Sequence, residues 1–334
     1  MKRFIVKILL VSLPLFGLLL FIYIFINPFK VIGYSNQFYP SVVGLNRDFV
    51  STQTFIENNK QNNYDSFILG NSRSIFYQIN TWKRYIGSFN CFHFDASGES
   101  LSGVYLKLRY LELAGSKIKN VLIVLDGSLL EQTSKKEGHS FLSHPALGEN
   151  NWISFQYAYL KTFYSYDFLI AYSDYLITGQ IKQYMKDAFL LTDVFPEYTM
   201  RYNEIKYTSI ENSIKSNSKS YYEQKKVIFY QRDSVPVKSP QVVFHEQITI
   251  LSKMKQIFDR HHTRYRIVIS PLYNQNQFNR NDLIVLDKIF GSNNVFDFSG
   301  KNQYTNNITN YYETSHYRPI VANAIMKVIY KKQK

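Results

Sequence analysis

The stretch "FILGNSRSIFYQI", Phe67 to Ile79, decides the fold. A short apolar run, Phe67 to Leu69, stops at Gly-Asn-Ser-Arg-Ser, after which Ile75, Phe76, Ile79, Trp82 and Ile86 recur at helical spacing. A strand therefore turns into a helix, with Ser72 at the turn. Two readings of Ser72 follow. It is either a helix N-cap, which contributes about 1 kcal/mol, or a nucleophile held at the carboxyl end of a strand.

The same rhythm continues outward. "CFHFDA", Cys91 to Ala96, leads through Ser97-Gly98 into a stripe of Leu101, Val104, Tyr105, Leu108 and Leu111 that stops at Gly115. "VLIVLD", Val121 to Asp126, is wholly apolar until its last residue, as in a parallel strand buried on both faces. Asp95 and Asp126, at strand ends, are expected to receive loop N–H bonds. The rhythm breaks from Gly127 to about Pro240, a Tyr- and Phe-rich span with a helix-like part from Trp152 to Lys186 and a polar end, "IKSNSKSYYEQKK". This span is expected to be a largely helical insertion, its aromatic residues forming core, a sugar-stacking wall or a membrane-facing lid. The rhythm resumes with a helix carrying Ile248, Leu251, Met254 and Phe258, a strand from Tyr265 to Ser270, a short helix near Asp282 to Phe290 and a strand from Asn294 to Phe298. Pro319 opens a closing helix with Ile320, Ala324 and Ile325 as its apolar positions. The expected class is α/β, a three-layer sandwich whose ligands sit beyond the carboxyl ends of the strands. Ser72, Gly98 and Asp126 all fall at such ends.

With 334 residues, 45% apolar and 17% aromatic, the chain has ample material for a packed core. Its 39 Lys and Arg against 25 Asp and Glu give a net charge of +14, which suits an anionic partner. A single cysteine, Cys91, excludes an intrachain disulfide framework. No metal-ligand spacing, Walker loop or dinucleotide fingerprint is present, so neither metal nor cofactor is expected. Ile8 to Ile26 is 19 residues without a charge, about the length that crosses a ~30 Å hydrocarbon core as a helix. Lys2, Arg3 and Lys7 precede it and should stay in the cytoplasm, sending everything after Lys30 across the membrane. A cleaved signal peptide is the alternative, but no small-x-small site precedes Tyr34. An extracytoplasmic domain argues against a nucleic-acid partner, and the positive charge reads as affinity for a phospholipid surface or acidic glycan, or as solubility. The expected organisation is a cytoplasmic tip and anchor over 1–30, a connecting region over 31–63 and an α/β domain over 64–334, with the insertion at about 127–240.

A serine nucleophile needs an imidazole to take its proton and a third group to orient that imidazole. Of seven histidines, His93 lies within a strand, His139 and His144 lie in the insertion, and His245, His261 and His262 flank or sit on a helix. His316 differs. It stands in "YYETSHYRP", beyond the last strand and at the same edge of the sheet as Ser72, with Glu313 three residues earlier as a hydrogen-bond acceptor. Arg73 and Arg318 flank this site and suit an anionic substrate or a developing oxyanion, the alternative being solvent-facing arginines. Ser315 is an alternative cap for the last helix.

Gly70-Asn71-Ser72-Arg73-Ser74, the Gly98 turn and Glu313-Thr-Ser-His316 resemble the first, second and fifth blocks of the SGNH, or GDSL-like, hydrolases. More narrowly, the chain looks like the membrane-anchored SGNH-like proteins of bacterial envelopes that work beside membrane-bound O-acyltransferases in modifying surface polymers. The resemblance covers 64–126 and 265–331 and leaves out the insertion. It implies a flavodoxin-like parallel sheet, Ser72 as nucleophile, His316 as base, Glu313 as orienting acid and Gly98 as an oxyanion donor. The sequence departs from the pattern at Asn71, where Asp is frequent, at Glu313, which replaces Asp, and at Asp126-Gly127-Ser128, which stands where a Gly-x-Asn block supplies the third oxyanion donor. Asn71 is a candidate substitute for that donor. The resemblance implies extracytoplasmic O-acyl transfer or ester hydrolysis on an envelope glycan. The competing expectations are a glycan deacetylase and a catalytically inactive scaffold that binds a polymer or a membrane-bound O-acyltransferase.

Overall fold

A computed structural model of the chain describes residues 2–33, 38–134, 138–186, 190–232 and 234–331; in the first helix the side chains at 2, 5, 6, 8, 9 and 11 lie outside the described set. The chain begins with α1 (Lys2–Ile26) and α2 (Arg47–Asn62). It then alternates through β1 (Ser66–Gly70), α3 (Ile79–Ile86), β2 (Cys91–Asp95), α4 (Leu101–Leu113) and β3 (Asn120–Leu125). The interruption follows, with α5 (Gly127–Glu131), α6 (Trp152–Phe163), α7 (Tyr166–Thr178), α8 (Gln183–Lys186), the hairpin β4 (Glu197–Thr199) and β5 (Glu204–Lys206), α9 (Thr208–Ser216) and α10 (Ser218–Gln224). Alternation returns with α11 (His245–Arg260), β6 (Arg264–Ile269), α12 (Arg280–Phe290) and β7 (Val295–Asp297). A short hairpin, β8 (Tyr311–Glu313) and β9 (His316–Tyr317), precedes the closing helix α13 (Pro319–Ile329).

Among the described residues the central sheet has five strands in the order β2-β1-β3-β6-β7, all parallel. Period-two alternation sends β-strand side chains to opposite faces. Phe67, Leu69, Val121 and Ile123 accordingly pack into one core with Leu101, Val104 and Leu108 of α4 and with Leu251 and Ile257 of α11. The other face carries Ile68, Leu122 and Val124, which pack with Trp82 of α3 and with Val321, Ala322 and Ile325 of α13. The result is three layers, helix on sheet on helix, with strand order reversing between β1 and β3. In open α/β sheets that reversal opens a crevice at the carboxyl ends of the strands.

Gly70 makes the first turn there. Its φ is +147°, and a Cβ at this position would meet the Val124 carbonyl oxygen at 2.5 Å. Only glycine lets β1 pass that close to β3 before the chain turns into Asn71 and Ser72.

Several expectations change in detail. The 31–63 region is not a mere connection, because α2 packs on β2 and buries its first half from Arg47 to Phe55. The chain after Ser72 enters a 3-10 turn, Ser74–Phe76, and only then α3. The 127–240 span is largely helical and also holds β4 and β5. On α13 the buried face is Val321, Ala322, Ile325, Met326 and Ile329, while Ile320 and Ala324 turn outward. The register follows from the helix beginning at Pro319, which turns positions 320 and 324, one turn apart, to the same outer side.

Among the described residues no helix is long and apolar enough to cross a membrane. The transmembrane expectation for Ile8 to Ile26 falls partly outside those residues, at the side chains of 8, 9 and 11. What the structure gives is a helix over Lys2–Ile26 with Leu13, Phe16, Phe21 and Phe25 exposed.

Candidate active site

Three elements converge at the carboxyl edge of the sheet. The turn after β1 carries Ser72, the turn after β2 carries Gly98, and the β8–β9 hairpin carries Glu313 and His316. Glu313 and His316 are cross-strand partners, so the hairpin itself sets their separation.

The geometry is that of a proton relay. His316 Nε2 lies 2.8 Å from Ser72 Oγ. His316 Nδ1 bonds Glu313 Oε1, and the Ser315 N–H donates to the other carboxylate oxygen at 2.5 Å. A carboxylate can only accept, so Nδ1 carries the proton and Nε2 presents its lone pair to the serine hydroxyl. Burial pushes the Glu313 carboxyl up, but the His316 hydrogen bond and charge outweigh it, helped by the Ser315 N–H and Lys225, and the group sits below its ordinary value. Phe76 packs edge-on against the imidazole, with ring centroids 5.7 Å apart.

Ser72 does not serve as a helix cap. Arg73 precedes the 3-10 turn without a side-chain cap, and it is the Asn71 Oδ1 that accepts the Arg73 N–H, at 3.0 Å. The N-cap of α13 is Arg318, so Ser315 is not a cap either.

The other expected site residues divide. Gly98, at φ +57°, lines the same cleft as Ser72 and His316. Among the described residues neither the Ser72 nor the Gly98 backbone N–H is taken by a protein acceptor. Asn71 and Arg73 instead brace the site. Asn71 Nδ2 donates to Asp126 Oδ2 at 2.6 Å, and Arg73 Nη1 donates to the same oxygen at 2.8 Å. Arg73 Nε reaches the Ser315 carbonyl at 2.9 Å, clasping the serine turn to the histidine hairpin. Burial would raise the Asp126 carboxyl, but the Arg73 charge and the bonds from Ser128, Asn71 and the Leu129 N–H hold it below its ordinary value. Arg318 is turned away from a substrate role. Its guanidinium grips Glu211 of α9 through two bonds of 2.9 and 2.7 Å and donates to the Thr309 carbonyl.

The sequence reading missed the supports that come from the insertion and from α2. Tyr221 and Tyr222 of α10 donate to the Tyr312 and Tyr311 carbonyls at 3.0 and 2.9 Å, holding β8 in place. Beneath the β2 turn, Arg47 pairs with Asp95 through bonds of 3.0 and 2.6 Å, and Asn203 donates to Asp95 at 3.3 Å. The paired tyrosines within the lysine-rich "SYYEQKK" were the available signal, since a phenol needs an acceptor when it is covered.

The cleft over Ser72 has a volume of about 530 Å³. Val43 and Leu45 from the segment before α2, and Leu191, Val194 and Ile205 from the insertion, give it apolar walls. Among the described residues no group of three or more His, Cys, Asp and Glu side chains is placed to hold a metal ion. No protein-family model matches the chain, and no curated protein matches it.

Proposed function

We propose that the chain is an SGNH-like serine acyltransferase or esterase of the bacterial cell envelope. The observation that carries this reading is the unbroken line from Ser72 Oγ through His316 to Glu313. The strand order, which corresponds to the flavodoxin-like 2-1-3-4-5, supports it. So does the apolar cleft, which suits an acyl chain. In this scheme Ser72 Oγ attacks the acyl carbonyl while His316 Nε2 takes its proton, and Glu313 stabilises the imidazolium. The oxyanion forms against the Ser72 and Gly98 N–H groups. Collapse expels the donor's alkoxide, which leaves with the proton from His316, and the acyl group stays as an ester on Ser72. A glycan hydroxyl, or water, then gives its proton to His316 as it attacks the acyl carbonyl, and when the Ser72 ester bond breaks His316 returns that proton to Ser72 Oγ.

In the same reading α1 is a single-pass anchor with its basic end in the cytoplasm, and the α/β domain faces an envelope glycan, beside a membrane-bound O-acyltransferase. The uncharged run from Ile8 to Ile26 and the exposed apolar side chains of α1 support this.

One observation favours a second reading, a catalytically inactive scaffold that binds the polymer or the acyltransferase. Asn71 Nδ2 is drawn to Asp126 at 2.6 Å, which leaves at most one of its two N–H groups for a third oxyanion contact. A fluorophosphonate probe separates the two. The full chain in detergent should be labelled, and Ser72→Ala and His316→Ala should not. An unlabelled, folded parent would sink the catalytic reading and leave the scaffold.

A further inference from the structure

The helices α6 and α7 form a hairpin beside α1, and next to the turn between them Tyr166, Leu169 and Ile170, spaced i, i+3 and i+4 on one face of α7, are 78%, 39% and 41% exposed. Soluble surfaces carry such residues singly, and a contiguous set marks a partner. We propose that this partner is the lipid bilayer: the α6–α7 hairpin seats at the headgroup–acyl boundary alongside α1, as a second membrane contact. The inference rests on the reading of α1 as an anchor.

The contacts between the elements fix where the hairpin lies. Gln156, near the start of α6, donates to the Val31 carbonyl at 2.8 Å and accepts from the Tyr23 hydroxyl at 2.9 Å. At the other end of α6, the Phe163 ring meets Tyr23 at 5.6 Å, and the Tyr164 hydroxyl donates to the Leu19 carbonyl at 2.6 Å. So α6 runs antiparallel to α1, and its end lies further along the apolar run than its start. Leu19 is seven residues short of Ile26, which at 1.5 Å per residue is roughly 10 Å below the end of that run. An anchored α1 therefore carries the α6–α7 turn down with it.

Chemistry at the turn sets the depth. Exposed Lys161 and Asp167 flank Tyr164, and such charges belong at headgroup level, where a lysine stem can lie along apolar surface while its amine reaches water or phosphate. Tyrosines are enriched at that same level. Interfacial elements bury their apolar faces about 5–10 Å into this boundary, which matches the depth given by Leu19. The polar groups on the α1 side are already paired, as Tyr23, Gln156 and Tyr164 show, which a medium without water demands.

Tryptophan quenching by brominated lipid tests this on the full chain. Of the two native tryptophans, Trp82 is fully buried in the α/β core and serves as background. In a Trp152→Phe chain, Tyr166→Trp places a probe at the turn, and Ile284→Trp places one on the exposed face of α12, next to the far strand β7. Both are reconstituted into phosphatidylcholine–phosphatidylglycerol vesicles whose acyl chains carry bromine near the carbonyl end, and flotation verifies that the protein is bound. The expected result is loss of most of the emission added at position 166 and none of that added at 284. Flotation with full emission at both positions overturns the hairpin inference and leaves the anchor standing. Failure to float overturns the anchor reading, and the inference with it.

Discussion

At the scale of single residues, the site depends on which nitrogen of His316 holds the proton. Glu313 enforces that choice, so Glu313→Gln should leave the fold intact while allowing the amide to donate to Nδ1 and turn the ring's lone pair away from Ser72. Loss of the orienting acid in a serine triad costs on the order of 10⁴ in rate, and the second-order rate of fluorophosphonate labelling should fall by at least 10²-fold as an order-of-magnitude expectation. An unchanged rate would remove Glu313 from the relay. Arg73 acts one step further out, as a positioning residue, through Asp126 and the Ser315 carbonyl. Arg73→Leu should slow labelling roughly 10-fold, the scale of a small misplacement of reacting groups, and Arg73→Lys should recover only part of it, because one ammonium does not reproduce two fixed bonds to different partners. If both variants label at the parent rate, the clasp has no bearing on the serine.

At the scale of elements, the tight passage of β1 past β3 rests on one glycine. Gly70→Ala combines a backbone conformation that L side chains rarely adopt with a Cβ 2.5 Å from the Val124 carbonyl oxygen, and it should destabilise the protein by roughly 3 kcal/mol or more. A thermal midpoint equal to the parent's would contradict that account. This turn was legible in the sequence because its information is local: a strand run, Gly70 and helical spacing all lie within a few residues of Ser72. The relay partners were legible for a related reason, since Glu313 and His316 face each other across a two-residue turn. Arg318 was not. Its role depends on Glu211, more than a hundred positions away on α9, and no local pattern distinguishes an arginine that faces substrate from one that clamps an insertion. The same holds for α2, whose burial against β2 is carried by Arg47, Asp48 and Ser51, residues that read as a polar linker until Asp95 and His144 are brought to them.

At the scale of the whole molecule, the insertion is tied to the N-terminal part of the domain through His144. Its Nδ1 accepts the Ala146 N–H at 3.0 Å, its Nε2 faces Gln53 Oε1 at 3.0 Å, and its ring stacks on Phe49 of α2. Nε2 therefore carries the proton, and a second proton would have to go on Nδ1, against an N–H donor. Burial lowers the His144 pKa to about 4, with Asp48 pulling the other way. Because the folded value lies below the unfolded one near 6.5, the neutral ring's contribution is fully present above pH 6.5. It is lost as pH falls toward 4, where the unfolded chain binds a proton that the folded chain refuses. By pH 5 the loss should be on the order of 2 kcal/mol. His139, also held below its ordinary value by burial, adds in the same direction. Asp95, Asp126 and Glu313, all held low, lose their contributions mainly below the ordinary carboxylate range, outside this window. In His144→Asn the side-chain oxygen can still accept from Ala146 and nothing titrates. Its thermal midpoint should therefore fall less than the parent's between pH 7 and pH 5, by a few degrees. Parallel curves for the two proteins would show that His144 is not the group through which acid loosens α2 from the insertion.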